Sequence, residues 1–290
     1  LGGSGVTAGD FDGDGHTDLF FAGLGGGSSL WRNLGALRFT TVTAQAFGNP
    51  SPLATLDATG CAAADLNGDG FPDLVVNSHG QGTHVFLSHG PSRIQALPPL
   101  NAGRGGRSIA IADVDGDGWL DLYLVNHRVV ASPDLSAVRA TFRTVDGRAE
   151  VATIDGRPTT APDLTNRFAV NARGALEELG EPDALYLNQQ GTSFREVPWT
   201  DGAWLDADGK PLRNPPRDWG LSAQFRDLQG DGRPELYVGN ELQSPDRLWI
   251  NESRPGVVRF RAARAGTIRH TSWSSAAIDL ADVNRAGVVD

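Results

Sequence analysis

Asp113-Val-Asp-Gly-Asp-Gly-Trp-Leu-Asp121 is the stretch on which the fold turns. It carries carboxylates at its first, third, fifth and ninth positions and glycine at its fourth and sixth. Three other segments align with it without gaps: Asp10-Phe-Asp-Gly-Asp-Gly-His-Thr-Asp18, Asp65-Leu-Asn-Gly-Asp-Gly-Phe-Pro-Asp73 and Asp227-Leu-Gln-Gly-Asp-Gly-Arg-Pro-Glu235. A fifth, degenerate copy, Asp282-Val-Asn-Arg-Ala-Gly-Val-Val-Asp290, has Ala286 where a ligand belongs. The copies begin 55, 48, 114 and 55 residues apart, which marks a repeat architecture rather than an isolated motif.

Each full copy runs directly into a short apolar segment: Leu19–Ala22, Leu74–Val76, Leu122–Val125 and Leu236–Val238. Runs of this kind, rich in Val, Leu, Phe and Tyr, predict strands. A second shared segment follows as Leu30-Trp-Arg-Asn33, Val85-Phe-Leu-Ser88, Leu185-Tyr-Leu-Asn188 and Leu248-Trp-Ile-Asn251. A turn and a third stretch come next, as in Gly191–Phe194 and Val257–Phe260. A small-residue strand, as in Leu221–Phe225 and Ser274–Ile278, then leads into the next loop. About 50 residues bearing about four strands make a β-propeller blade, and such blades pack around a central channel. The expected fold is all-β: a propeller of four-stranded blades, about five of them represented here.

The long step has a local cause. From the end of the acidic loop to the second element takes 12 residues in the first two repeats and 13 in the fourth, but 64 in the third. Residues 1–290 read as a single propeller domain whose third repeat carries an insertion over residues 127–182. Two Asp-Gly turns, in Thr144–Arg148 and Thr153–Arg157, predict hairpins inside it. A polar loop, Asp201 to Asp218, decorates the same repeat.

Alternating acids on a tight turn gather hard oxygens on one side, and hard oxygens in a flexible loop suit Ca²⁺ better than Mg²⁺ or Zn²⁺. The expected side-chain ligands are Asp10, Asp12, Asp14 and Asp18; Asp65, Asn67, Asp69 and Asp73; Asp113, Asp115, Asp117 and Asp121; and Asp227, Gln229, Asp231 and Glu235. The seventh residues, His16, Phe71, Trp119 and Arg233, would add backbone carbonyls. The first three loops are expected to be full sites and the fourth, with its longer Gln229 and Glu235, a looser one. Asp282, Asn284 and Asp290 would form at best a vestige. An EF-hand needs Glu at the twelfth position, where this chain has Phe21, Val76, Leu124 and Val238 in predicted strands. One Asp-Gly turn alone would explain one copy, but not a carboxylate kept at the ninth position in four. The loops hold nearly half of the 35 acidic side chains, which repel one another strongly unless a cation lies between them.

The loops and the strands after them resemble the FG-GAP/VCBS repeats of integrin α-subunit propellers and of bacterial surface proteins. Gly180-Glu-Pro-Asp-Ala-Leu-Tyr-Leu-Asn188, Asp218-Trp-Gly-Leu-Ser222, Glu235-Leu-Tyr-Val-Gly-Asn240 and Ser244-Pro-Asp-Arg-Leu-Trp-Ile-Asn251 are most similar to bacterial members of the cartilage acidic protein-like (CRTAC/ASPIC) group. The resemblance implies a propeller, usually seven-bladed, with Ca²⁺ in its loops. It implies an extracellular, cell-surface or periplasmic setting and a role in binding or adhesion rather than a defined reaction. A seven-bladed ring needs more chain than this, so part of a longer protein is expected.

The remaining features narrow the function. A formal charge of −10 argues against nucleic acid or an anionic membrane as partner, and no apolar run is long enough to insert in a bilayer. Cys61 lies in an apolar stretch and reads as a buried small hydrophobe. No serine-hydrolase, zincin, Walker or haem-attachment motif is present, which disfavours an enzyme; a polysaccharide lyase or hydrolase is the alternative. His79, His84 and His89 are spaced by five and share no strand or helix face. Expected partners are a protein or glycan at the cell surface, or the other subunits of a larger assembly. Asn77, His79, Asn126, His127, Asn240 and Glu241, polar residues recurring at strand ends, form the candidate ligand patch. Trp199 and Trp204, flanking a polar loop, are the tryptophans expected to be exposed.

Overall fold

Apolar runs that leave an acidic turn in an extended conformation must find partners on both edges and both faces, and four times over they do so in the same way. In the computed structural model, which describes residues 5–90, 94–130, 133–241, 244–264, 266–267 and 274–284, the first sheet joins β1 (Val6–Gly9), β2 (Asp18–Phe21), β3 (Ser29–Asn33) and β4 (Phe39–Thr41) in that order. The second joins β5 (Ala58–Ala64), β6 (Asp73–Ser78), β7 (Gly82–Ser88) and β8 (Ile94–Ala96) likewise. The third begins with β9 (Gly105–Ala112) and β10 (Asp121–His127).

Before that sheet is completed the chain makes two small sheets: β11 (Ala140–Val145), β12 (Arg148–Ile154) and β13 (Arg157–Pro158), then β14 (Phe168–Val170) with β15 (Leu176–Glu178). Val145 pairs with Arg148 and Ile154 with Arg157, so both Asp-Gly pairs sit at two-residue hairpin turns. Val151, Ile154 and Leu164 give this region a core of its own. The third sheet then resumes with β16 (Ala184–Asn188) and β17 (Phe194–Val197). The fourth contains β18 (Trp204–Leu205), β19 (Gly220–Arg226), β20 (Glu235–Asn240), β21 (Arg247–Asn251) and β22 (Phe260–Ala262). In it β18 lies parallel to β22 as an outer fifth strand.

The first strands of successive sheets face one another: β1 packs on β5, β5 on β9, and β9 on β19. Close approach explains their small residues. A Cβ on Gly60 would stand 2.6 Å from Arg107 O of the next sheet. The second strands of the second and third sheets are buried on both faces, and their period of two divides them between neighbours. Leu74 and Val76 join Phe20, Leu30 and Phe86 between the first and second sheets, whereas Val75 joins Leu122, Leu124 and Tyr186 between the second and third. Tyr123 and Val125 then face the fourth sheet with Leu236, Val238, Trp249 and Phe260. The fold is all-β and propeller-like, with a hydrophobic layer between each successive pair of sheets.

Two expectations fail. Trp199 and Trp204 are not exposed: Trp204 is 0% accessible and Trp199 8%. They stack at 4.1 Å, and Trp204 lies 5.0 Å from Trp249 and 5.1 Å from Phe260. The polar loop between sheets three and four folds back so that β18 pairs with β22, and its tryptophans fill the seam. Ser274–Ile278 is not a strand: it meets the fourth sheet through a bridge from Ser274 to Glu241 and through Ser275, whose N–H donates to Asn240 O, whose hydroxyl donates to Asp246 and whose carbonyl accepts from the Ser222 hydroxyl.

Candidate metal centres

Each of the four acidic loops joins the first and second strands of its sheet, so all four occupy equivalent corners. Within each, the first carboxylate organises the turn by accepting N–H bonds from the fourth, fifth and sixth residues. In the third loop Asp113 accepts from Gly116, Asp117 and Gly118 at 2.8, 3.1 and 2.9 Å. Asp10, Asp65 and Asp227 do the same with distances of 2.7–3.2 Å. This winding places the fourth and sixth residues at positive φ (73° and 90° at Gly116 and Gly118), where glycine alone is unstrained. The fifth carboxylate accepts from the seventh N–H, as Asp117 does from Trp119 at 2.9 Å.

The ninth carboxylate ties the loop to the sheet. Asp121 accepts the Val114 N–H at 3.0 Å through one oxygen and the Asn188 N–H at 2.9 Å through the other. Asp18 does so with Phe11 and Asn33, and Asp73 with Leu66 and Ser88. Burial pushes Asp18, Asp73 and Asp121 upward, to about 6 for Asp73 and about 7 for Asp121, against those hydrogen bonds. Glu235 departs from the pattern: it accepts from Leu228 at 2.8 Å, but its other oxygen takes the Gln229 amide at 2.8 Å.

Two loops bring carboxylates together at metal-ligand spacing. Single oxygens from Asp10, Asp12 and Asp18 lie within 4.8 Å of one another, and so do oxygens from Asp113, Asp115 and Asp117. The third loop fits a hard cation best. Asp115 is 6% exposed and its Oδ1 is buried without a hydrogen-bond partner. Burial, then the charge of Asp117, holds its carboxyl above the ordinary range. A buried, unsatisfied acceptor beside two further carboxylates is an arrangement that a divalent ion would relieve.

The other loops already contain cationic or amide groups. In the first, Arg32 lies 2.6 Å from Asp12 and 3.0 Å from Asp14. In the second, His89 lies 3.2 Å from Asp69, and Asn67 donates to Asp69 at 3.1 Å. In the fourth, Arg233 pairs with Asp231 while Gln229 closes on Glu235. Asp282 and Asn284 lie within the described residues, while Ala286 and Asp290 fall outside them.

The expected ligand patch is not a surface patch. Asn77, Asn126 and Asn240 are each 0% exposed. Asn126 donates to Pro182 O at 2.8 Å while its N–H binds Asp183, which also accepts from Tyr123. Asn240, Pro245, Asp246 and Tyr237 repeat that arrangement in the fourth sheet. This Pro-Asp brace, six and five residues before Asn188 and Asn251, is a second repeated signal in the sequence. Asn188 and Asn251 in turn donate to Leu66 O and Val114 O of the preceding sheet's loop, at 2.8 and 3.0 Å. Of the six, His79, His127 and Glu241 reach solvent in part: His127 lies 2.7 Å from Glu241, and His79 2.9 Å from Val129 O. His79, His84 and His89 stay apart; His84 stacks on Phe86. Burial pushes the Cys61 thiol up to about 11. Cys61 is therefore expected to resist iodoacetamide at pH 7.5 in the native protein and to react on unfolding, as followed by mass spectrometry.

A model of the FG-GAP-like repeat matches residues 10–76 and 65–124, which contain the first three acidic loops. Residues 10–124 thus carry FG-GAP-like repeats, and the fold of the described residues is all-β and propeller-like. It is similar to cartilage acidic protein 1: 30% identical to the Homo sapiens protein over 295 residues, covering 89% of this chain and 42% of the relative. The Mus musculus and Xenopus tropicalis proteins of that name are 30% identical over 146 residues, or 45% of this chain and 22% of each relative. The chain therefore spans less than half the length of the curated relatives it matches. No helix among the described residues is long and apolar enough to cross a membrane.

Proposed function

We propose that this chain is a calcium-stabilised extracellular binding module, a single propeller domain with an insertion over residues 127–182 and part of a larger, seven-bladed ring. Buried Asp115, clustered with Asp113 and Asp117 and left with an unsatisfied oxygen, carries the proposal. FG-GAP-like repeats and similarity to a protein named for cartilage support an adhesion-type role at a cell surface, toward a protein or glycan. In this reading calcium is structural. Asp113, Asp115, Asp117, Asp121 and the Trp119 carbonyl would hold it in the third loop; the corresponding residues would do so in the first two and, more loosely, the fourth. The ion supplies positive charge that neutralises the carboxylates. The chain's own residues do the rest: the first carboxylate winds the turn, and the ninth pins it to the sheet.

The loops differ in what an incoming ion must displace. It has to displace Arg32 from the first, His89 from the second and Arg233 from the fourth, but, among the described residues, no basic side chain from the third. Calorimetric titration of the metal-free protein is expected to show a tightest site that Asp115→Asn removes and Asp69→Asn leaves intact. A tightest site unaffected by Asp115→Asn would sink the assignment.

A further inference from the structure

Between the first and second sheets, beside the first acidic loop, the fold leaves a cavity of about 250 Å³. Leu30, Leu74 and Phe86 line it from the two sheets, and Ala46 and Phe47 line it from the short helix α1 (Thr43–Phe47). Phe47 and Phe86 meet edge to face at 5.3 Å. An apolar cavity of roughly 150 Å³ is enough to admit benzene, so this one has room for a ring and a short arm.

Arg32 accounts for the space. It stands two residues after Leu30 on β3, on the strand face that looks toward the second sheet. At the matching position the other repeats carry Leu87, Leu187 and Ile250. Leu87 and Leu187 are buried in the later seams, between sheets two and three and between sheets three and four. Arg32 does not fill its own seam in that way. Its guanidinium turns to the first acidic loop, with Nε 2.6 Å from Asp12 and Nη2 donating to Asp14 at 3.0 Å. Nη1 has no partner among the described residues. Arg32 still lines the cavity, together with Asp12 and Asp18. One hollow thus joins an aromatic lining to a guanidinium and to two of the carboxylates read as metal ligands.

We propose that this cavity binds a small apolar carboxylic acid, its hydrocarbon part against Phe47 and Phe86 and its carboxylate on Arg32. A guanidinium offers a carboxylate parallel N–H bonds, and burial of the hydrocarbon supplies the rest of the affinity. Asp12 and Asp18 oppose an anion while their charge is uncompensated, and Asp12 and Asp14 compete for the guanidinium. A divalent ion in the first loop would neutralise these carboxylates and release Arg32 to the ligand. Calcium is therefore expected to strengthen binding. That coupling rests on reading the loops as calcium sites; the cavity and its arginine do not. An amine would behave in the opposite way, taking the carboxylates in competition with calcium.

Ligand-observed NMR titration of the calcium-loaded chain with 3-phenylpropionate, its amide and 3-phenylpropylamine tests the site. The acid is expected to bind about tenfold or more tighter than the amide. It should also bind tighter in calcium than in chelator. Arg32→Leu installs the side chain that the second and third repeats carry, and Ala46→Phe occupies the space while leaving the charges in place. Each should remove binding, with urea unfolding showing both variants folded. No binding of the acid, equal binding of acid and amide, or binding that survives both substitutions overturns the site. Tighter binding of the amine, reversed by calcium, overturns it in favour of a cationic ligand. Calorimetry separates the two readings. If Asp12→Asn removes no calcium site, the calcium reading of the first loop fails, and acid binding in chelator then decides the cavity by itself. If that site is present, equal acid affinity in calcium and chelator overturns the coupling.

Discussion

Calcium added to the metal-free protein at pH 7.5 is expected to raise its unfolding free energy by about 2.7 kcal/mol for each site held at one hundred times its Kd. With more than one loop filled, this is the largest single change of condition available to the fold. The reason is the electrostatic state of the loops. Asp113, Asp115 and Asp117 crowd their oxygens within 4.8 Å, and the ninth carboxylates Asp73 and Asp121 of the second and third loops have their pKa values pushed to about 6 and about 7 by burial. A folded-state pKa above the unfolded value means that the native protein binds the extra proton. Metal-free stability should therefore rise as pH falls from about 7 toward 4, and fall as pH rises through 6–7. Calcium reverses this sign, because it requires the same carboxylates deprotonated. The increment due to calcium should be greatest above pH 7 and shrink toward pH 5. Thermal melts with calcium or chelator at pH 5, 6, 7 and 8 check it; parallel curves at all four values would refute the competition.

Much of this was legible in the sequence because its signals are local. An acidic turn followed at once by an apolar run fixes where a sheet's first hairpin lies, and counting from one turn to the next locates the long excursion after β10. What was not legible depends on contacts between distant segments. Trp199 and Trp204 stand among polar residues in sequence, yet β18 pairs in parallel with β22, more than fifty residues away, and carries them into the seam. Asn77, Asn126 and Asn240 look like polar strand ends, but they are swallowed by turns and neighbouring sheets that use their amides. Unequal loops were only half visible. Composition ranks the first and third loops equal, with four carboxylates each, and the structure separates them through Arg32. That residue could have been noticed, since its counterparts in the other repeats are Leu87, Leu187 and Ile250. The contribution of Arg233 in the fourth loop is hidden in sequence, because the seventh position offers its main-chain carbonyl whatever side chain it carries.

Asp121→Ala and Asp117→Asn are expected to damage the same loop in different ways, and the contrast separates the ninth carboxylate's two roles. Asp121 is 1% exposed and accepts the buried N–H groups of Val114 and Asn188. Alanine leaves both without a partner, at about 1–3 kcal/mol for each unsatisfied group. Part of that cost is offset because a carboxylate held at about 7 by burial is itself a strained occupant. A net loss of about 3 kcal/mol is expected without calcium, and a larger one with it, because the third loop's calcium increment should disappear as well. Asp117 is exposed, and its backbone partner Trp119 can be served equally by an amide oxygen. Asp117→Asn should therefore leave metal-free stability within about 0.5 kcal/mol of the parent and reduce only the calcium increment. Urea unfolding of the two variants and the parent, each with calcium and with chelator, gives all the needed differences. If Asp121→Ala lost stability only in calcium, the carboxylate would be a ligand and nothing more. If it lost the same amount in both conditions with the calcium increment intact, the ninth residue would be a tether that the metal does not touch. Loss in both conditions together with loss of the increment is the outcome that the shared geometry of Asp18, Asp73 and Asp121 requires.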